Sequence, residues 1–187
     1  MVSRKTFLMT FRNKNIMTEE LIEEIDMEGN TIAVHPKSYL KERMFRHKGS
    51  LIIPKAADDR YIISKRAADQ HPFPDTWVCA MGGKLIHGET YLDAAHRECM
   101  EEANARLNLV PVTTLVYDED DYKANFTIYT TKDPVDPESL DGDPREIQCF
   151  KEITLADLKQ EVTERPERFA PTFRAVVQAF VEALENQ

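Results

Sequence analysis

The chain is poor in cysteine, in long apolar runs and in positive charge, and each shortage excludes a class of protein. Its 3 cysteines are an odd number without zinc-ligand spacing, which favours free or buried thiols in a reducing cytoplasm. No apolar stretch approaches the roughly 20 residues of a membrane-spanning helix. The net charge of −9 argues against a nucleic-acid backbone as partner. We therefore expect a cytoplasmic protein with no nucleic-acid or membrane partner.

The beginning of the chain differs in charge from the rest. Residues 1–16 contain basic side chains and no acidic one, yet they lack the apolar run and the cleavage site of a signal peptide. We expect them to form a basic, poorly ordered extension. Met17 opens an acidic stretch and is a candidate natural start, and residues 17–187 have the length of one domain.

Apolar runs and turn residues predict a mixture of strands and helices. The strand candidates are residues 21–25, 31–34, 50–54, 61–65, 77–81, 107–118, 124–131 and 147–150. A short helical stretch is expected at residues 36–44, and longer helices are expected after Thr90, after Thr154 and from Phe169. The first two strands, and likewise the next two, are predicted to pair as hairpins. This pattern predicts an α+β fold with a mixed β-sheet between helices.

Three glutamates in the segment after Thr90 carry the strongest chemical signal. Glu98, Glu101 and Glu102 stand at i, i+3 and i+4, so all three lie on one side of the predicted helix. Three negative charges at such short distances repel one another, and a hard divalent cation usually compensates for this repulsion. Carboxylates without a cysteine or histidine cluster suit Mg²⁺ or Mn²⁺ better than Zn²⁺. The alternative is a solvated acidic helix face.

The segment around these glutamates resembles a known signature. Its fixed residues are Gly83, Glu89, Arg97, Glu98, Glu101 and Glu102. Their spacing matches the Nudix box, G-x5-E-x7-R-E-U-x-E-E-x-G-U, in which U is a bulky apolar residue. Asn104 and Ala105 depart from the last two fixed positions, but asparagine is the next best residue to glycine at a left-handed helix end. The resemblance implies that residues 17–187 form a single Nudix domain, an α/β/α sandwich.

The Nudix resemblance also implies roles for individual residues. It implies catalytic and metal-binding roles for Glu98, Glu101 and Glu102, a metal-binding carbonyl at Gly82, and structural roles for Gly83, Glu89 and Arg97. Glu89 and Arg97 are expected to pair and to hold the loop against the helix. Whether Glu98 is a metal ligand or the general base stays open.

The segments that flank the box, over residues 20–110, resemble the isopentenyl-diphosphate-isomerase-like branch of the Nudix proteins. In an alignment on the tryptophan and the Gly-Glu pair, the isomerase's catalytic cysteine falls on Gly82, and one of its metal histidines falls on Lys84. Of two further metal histidines, one matches His47 and the other falls on Leu40. Because proton transfer across an allyl unit needs these groups, hydrolysis is favoured over isomerisation.

The resemblance predicts a hydrolase that uses Mg²⁺ or Mn²⁺ to cleave a diphosphate linkage in a small molecule, such as a nucleoside diphosphate derivative. Arg66 matches a diphosphate contact of the isomerase branch, and Lys84 lies beside the metal loop, so both are candidate substrate-binding residues. The candidates for a further carboxylate are Glu146, Glu119, Asp120 and Asp121. An isopentenyl-diphosphate isomerase and a non-catalytic nucleotide-binding module stay as alternatives. The choice between a monomer and a homodimer is open.

Overall fold

The structure is a computed structural model that describes residues 19–119 and 122–186. The predictions for the basic extension 1–16, for Met17, and for Asp120 and Asp121 lie outside the described residues. The strands are β1 (Leu21–Ile25), β2 (Thr31–Pro36), β3 (His47–Ile52), β4 (Arg60–Arg66), β5 (Trp77–Cys79), β6 (Met81–Lys84), β7 (Leu109–Glu119), β8 (Tyr122–Thr131) and β9 (Ile147–Thr154). The helices are α1 (Tyr91–Ala103), α2 (Leu155–Glu164) and α3 (Pro171–Glu185). None of the helices in this part of the chain is long and apolar enough to cross a membrane.

The described strands form two larger sheets and one hairpin, β1-β2. The sheet with strand order β6-β3-β8-β7 is mixed, because β3 runs parallel to β8 and antiparallel to β6. The sheet with order β5-β4-β9 is antiparallel. Helix α1 packs on β6 and β3, whereas α3 packs on β7 and β5. The predicted α+β fold, a mixed β-sheet between helices, is confirmed.

The predicted hairpin between the third and fourth strands is wrong. Strand β3 pairs with β6 and β8, whereas β4 pairs with β5 and β9, and the bridge between Lys55 and Tyr61 is isolated. Ile53 and Ile63 are fully buried, as expected of interior segments covered on both faces. The turn between the two segments therefore does not identify their hydrogen-bonding partners. The helical stretch predicted at residues 36–44 is a shorter 3-10 turn, Lys37–Lys41.

Two apolar cores hold the helices against the sheets. The core beneath α1 contains Ile52, Met81 and Cys99. The core beneath α3 contains Trp77 and Phe180, and it extends to α2. Because Met81 belongs to the first core, the strand that continues into Gly82 and Gly83 is fixed directly against α1.

Local sequence determines both ends of α1. Thr90 caps the first turn: its hydroxyl accepts a hydrogen bond from the Asp93 backbone N–H, and the Asp93 carboxylate accepts one from the Thr90 N–H. Asn104 ends the helix with a φ of 47°, in the left-handed region, and its N–H donates to the Cys99 carbonyl. Ala105 is buried against the same core. The structure thus accommodates both departures from the Nudix box.

The core beneath α3 is expected to dominate the stability of the domain. Phe180 is fully buried, so Phe180→Ala should lower the free energy of unfolding in urea by about 3–5 kcal/mol. Leu92→Ala is the matched control, because Leu92 is 42 % exposed on α1 and its loss should cost less than about 0.5 kcal/mol. Equal losses in the two variants would contradict the assignment of this core.

Candidate active site

Gly82 and Gly83 lie directly beside the glutamates of α1. The Gly82 N–H donates a 2.8 Å hydrogen bond to Oε2 of Glu102. A Cβ atom on Gly83 would collide with the Glu98 carboxylate, and one on Gly82 would lie 2.6 Å from the Ser50 carbonyl oxygen. Gly82 also has a φ of 154°, which residues with a side chain rarely adopt. Both glycines are therefore needed for the close approach of strand β6 to the acidic side of α1.

Arg97 connects the loop before α1 to the helix itself. Its Nε donates to Oε1 of Glu89 at 2.8 Å, and its Nη2 donates to the Lys84 carbonyl at 2.9 Å. Its Nη1 donates to Oε1 of Glu98 at 2.7 Å and to Oε2 of Glu101 at 2.9 Å. The expected pair of Glu89 and Arg97 is present, and the same guanidinium also binds two of the three glutamates.

The three glutamates differ in their exposure and in their electrostatic surroundings. Glu98 is 8 % exposed, whereas the side chain of Glu101 is 56 % exposed. Burial raises the pKa of the Glu98 carboxyl, although Arg97 opposes this shift. Burial, together with the negative charge of Glu98, raises the pKa of Glu102 well above its ordinary value. A nearby cation would stabilise the charged forms of these two carboxylates, one of which is buried and the other half-buried.

The glutamates suit a hard divalent cation by their chemistry. Carboxylate oxygens are the ligands that Mg²⁺ and Mn²⁺ prefer, and the carboxylates of Glu98 and Glu102 flank the same Gly-Gly segment. Within residues 19–119 and 122–186, no three acidic, histidine or cysteine side chains are arranged as a ligand set. Two of the glutamates, Glu98 and Glu101, are instead bound by Arg97.

A further carboxylate, Glu146, lies next to Glu102. Its negative charge and a side-chain hydrogen bond both raise the pKa of Glu102, after the larger contributions of burial and Glu98. The segment that carries Glu146 is bonded to the end of α1, since the N–H groups of Asp141 and Asp143 donate to the carbonyls of Ala103 and Glu102. Glu119, the other described candidate, instead lines a cavity at the end of β7.

Basic side chains gather beside the acidic ones. Burial, followed by the positive charge of Lys37, lowers the pKa of Lys84, and Arg66 adds to this effect. The Nε of Arg66 is buried without a hydrogen-bond partner in the part of the chain that the structure describes, and its Nη2 reaches only Gln70 at 3.4 Å. Cations held this close, one of them with an unused donor, form a site suited to an anion such as a diphosphate. Sequence reasoning missed Lys37, because only the fold brings its 3-10 turn to this place.

His47 is fully buried and its two ring nitrogens are both engaged. Nδ1 lies 3.0 Å from the Phe45 carbonyl and Nε2 lies 3.2 Å from the Tyr122 hydroxyl. Burial, reinforced by the charge of Lys84, lowers the pKa of His47 to about 4, so the ring is neutral at pH 7. The Nδ1–H then donates to the carbonyl, and Nε2 accepts from the tyrosine. The histidine that matches an isomerase metal ligand therefore positions Tyr122, which sequence reasoning also missed.

Comparison with known families identifies the fold family. The family model described as NUDIX domain matches residues 45–173, which include the glycines, the glutamates and Arg97. The chain belongs to the Nudix family. The part of this Nudix protein that resembles the Nudix box consists of α1 and the loop before it.

Relatives of this Nudix protein carry different names. An isopentenyl-diphosphate Delta-isomerase of Cereibacter sphaeroides is 28 % identical over 153 residues, which cover 76 % of this chain and 83 % of the relative. A prenyl-diphosphate phosphatase of Methanosarcina mazei is 22 % identical over 168 residues, which cover 89 % of this chain and 98 % of the relative. The crystal structure of DR0079 from Deinococcus radiodurans superimposes with a TM-score of 0.73 at 16 % identity, covering 85 % of this chain and 98 % of that one, and shows the fold alone.

The neutral state of His47 has a consequence for stability. Because its pKa in the folded protein, about 4, lies below the ordinary value of 6.5, the unfolded chain takes up a proton first as the pH falls. The contribution of His47 to the free energy of unfolding is complete above pH 6.5 and is lost towards pH 4. Between pH 7.5 and pH 5, the free energy of unfolding should fall by about 2 kcal/mol because of His47.

Urea unfolding of the native protein and of His47→Gln at pH 7.5 and pH 5 measures this pH-dependent contribution to stability. The difference between the two proteins removes the contributions of all other titrating groups. If the two proteins lost the same stability on acidification, His47 would not be neutral in the fold.

Proposed function

We propose that this protein is a hydrolase that uses a divalent metal ion to cleave a diphosphate linkage in a small molecule. One observation carries the proposal: the carboxylates of Glu98 and Glu102 lie against Gly82 and Gly83, and cations suited to a diphosphate gather beside them. A site with only the acidic half would bind a metal, and a site with only the basic half would bind an anion. Their combination is what hydrolysis of a phosphoric anhydride requires.

We assign the metal to Glu98, Glu102 and the Gly82 carbonyl, with Glu101 as a further carboxylate. A bound Mg²⁺ or Mn²⁺ would neutralise charge on the phosphate oxygens and lower the pKa of a water molecule. Arg97 fixes Glu98 and Glu101 on the helix, and it also holds the preceding loop through Glu89. The family membership supports this assignment.

The protein's own groups supply the remaining chemistry. Glu98 is either a metal ligand or the general base that takes a proton from the attacking water. Glu146, next to Glu102, is the candidate for a fourth carboxylate. Arg66 and Lys84 orient the diphosphate, and the Nε of Arg66, which has no hydrogen-bond partner among the described residues, gains an acceptor when the anion is bound.

The identity of the group attached to the diphosphate separates two substrate classes. Nucleoside diphosphate derivatives are the class expected from the Nudix resemblance. The relative named prenyl-diphosphate phosphatase aligns over 98 % of its own length, which supports the diphosphate ester of a prenyl alcohol as the second class. The alternative to a hydrolase is a non-catalytic nucleotide-binding module, which would convert neither class of substrate. A cytoplasmic location and the oligomeric state stay predictions.

Isomerisation of isopentenyl diphosphate is the second candidate function, because a relative at 28 % identity bears that name. Three positions count against it. Gly82 and Lys84 stand where the isomerase has its catalytic cysteine and a metal histidine, and both ring nitrogens of His47 are hydrogen-bonded within the fold. Cys79 does not replace the missing thiol, since it is buried in the core beneath α3 and burial raises its pKa strongly.

Removal of one carboxylate tests the assignment of the metal site. Glu102→Gln should lower kcat by at least about a hundredfold at saturating Mg²⁺, because it deletes a charged ligand while keeping the size of the side chain. The matched control is Glu167→Gln, at an exposed glutamate on the turn before α3, which should keep full activity. Circular dichroism checks the fold of both variants, and unchanged turnover in a folded Glu102→Gln protein would remove Glu102 from the site.

Product analysis separates hydrolysis from isomerisation. With Mg²⁺ or Mn²⁺, the protein should convert a diphosphate ester into phosphate-containing fragments whose masses show the addition of one water molecule. A chelator should abolish this activity, and added metal should restore it, because the carboxylates alone cannot neutralise the phosphate charge. Conversion of isopentenyl diphosphate to a product of the same mass would instead support the isomerase.

A further inference from the structure

A large cavity begins next to the diphosphate site and extends along α3. It has a volume of about 1050 Å³ and lies between α2, α3 and the end of β7. Its lining includes Phe73, Tyr117, Tyr122, Pro171, Ala175 and Val177. Three of these side chains are aromatic and the others are aliphatic, so this part of the cavity presents an apolar surface. The catalytic scheme above makes no use of it.

Tyr122 joins the cavity to the cations of the diphosphate site. The Nζ of Lys84 lies 5.8 Å from the centroid of the Tyr122 ring, which itself lines the cavity. The ring cannot easily turn away, because its hydroxyl is bonded to His47 and its face stacks on Phe126 at a centroid distance of 6.4 Å. A molecule whose diphosphate contacts Lys84 would therefore have this fixed aromatic ring beside its remaining part.

We propose that this cavity is the subsite for the group attached to the diphosphate, and that this group is a hydrocarbon chain. The inference rests on the proposed function, in so far as Lys84 and Arg66 are taken to hold the diphosphate. Tyr122 and Phe73 would determine specificity by packing on the chain, and Ala175 would leave the space that the chain fills. The substrate class is then the diphosphate ester of an apolar alcohol.

Aromatic and aliphatic side chains form more of the cavity lining than polar ones do, which favours a hydrocarbon over a nucleoside. Part of the polar lining is already engaged, because Gln178 donates to Glu182 at 3.0 Å and the Thr163 hydroxyl donates to the Lys159 carbonyl at 2.9 Å. The lining also includes the charged side chains of Glu119 and Arg174. A nucleoside base is recognised through hydrogen-bond donors and acceptors that stand ready in the pocket. The apolar lining instead gains free energy from each methylene group that it removes from water.

Binding of non-hydrolysable probes tests the subsite without any need for turnover. The probes are the methyl and decyl esters of methylenebisphosphonate, titrated with Mg²⁺ in a calorimeter. The native protein should bind the decyl probe about tenfold or more tighter than the methyl probe. Phe73→Ala, which removes an aromatic wall, and Ala175→Leu, which fills the cavity, should each reduce this ratio at least about threefold.

The control variant is Leu92→Ala, because Leu92 is 42 % exposed on α1, much like Phe73 at 41 %, but does not line the cavity. It should keep the native ratio. Equal binding of the two probes by the native protein, or an unchanged ratio in both cavity variants, would overturn the subsite. Competition by adenosine diphosphate that weakens in the cavity variants would also overturn it, by showing a nucleoside in this place. Phe73 lies on a surface loop, so its variant remains informative if Ala175→Leu fails to fold.

Hydrolysis of the matching alkyl diphosphates separates this inference from the proposed function. Length-dependent binding without any hydrolysis would refute the hydrolase and leave the subsite standing. Hydrolysis at equal kcat/KM for the methyl and decyl esters would refute the subsite and leave the hydrolase standing.

Discussion

The guanidinium of Arg97 is the group on which the rest of the candidate site depends. It binds the carboxylate of Glu89 and the carbonyl of Lys84 on one side, and Glu98 and Glu101 on the other. An arginine has five N–H donors in a rigid fork, whereas a lysine has three on a flexible stem. One side chain thus fixes the loop, the first turns of α1 and two of the acidic groups in a single arrangement.

The same interaction sets the conditions for metal binding. Glu98 and Glu101 are already paired with Arg97, so a divalent ion at the proposed site would have to compete with the guanidinium for their oxygens. Glu102 is different, because it is held by a backbone N–H and lies among negative charges that raise its pKa. At the proposed metal site, the affinity would therefore be a difference between opposing electrostatic contributions, and Glu102 is on the side that favours the ion.

How much of the site the sequence predicts depends on how far apart its residues lie along the chain. The spacing of Glu98, Glu101 and Glu102 and the capping box at Thr90 are local patterns, so the helix and its acidic side are predictable. Lys37 and Tyr122 come to the site from segments far away in sequence, which no local pattern reports. The incorrect hairpin between β3 and β4 has the same origin, since partners of buried strands are chosen by the whole sheet.

The hydrogen bond between His47 and Tyr122 depends on the relative direction of the strands that carry them. His47 is the first residue of β3 and Tyr122 the first of β8, and these neighbouring strands run parallel, with His47 opposite Ala124. Their first residues therefore meet at the same end of the two strands. If the two strands ran in opposite directions, the histidine and the tyrosine would lie at opposite ends, roughly 20 Å apart. Reversal of one strand would therefore separate His47 from Tyr122 even if every side chain were kept.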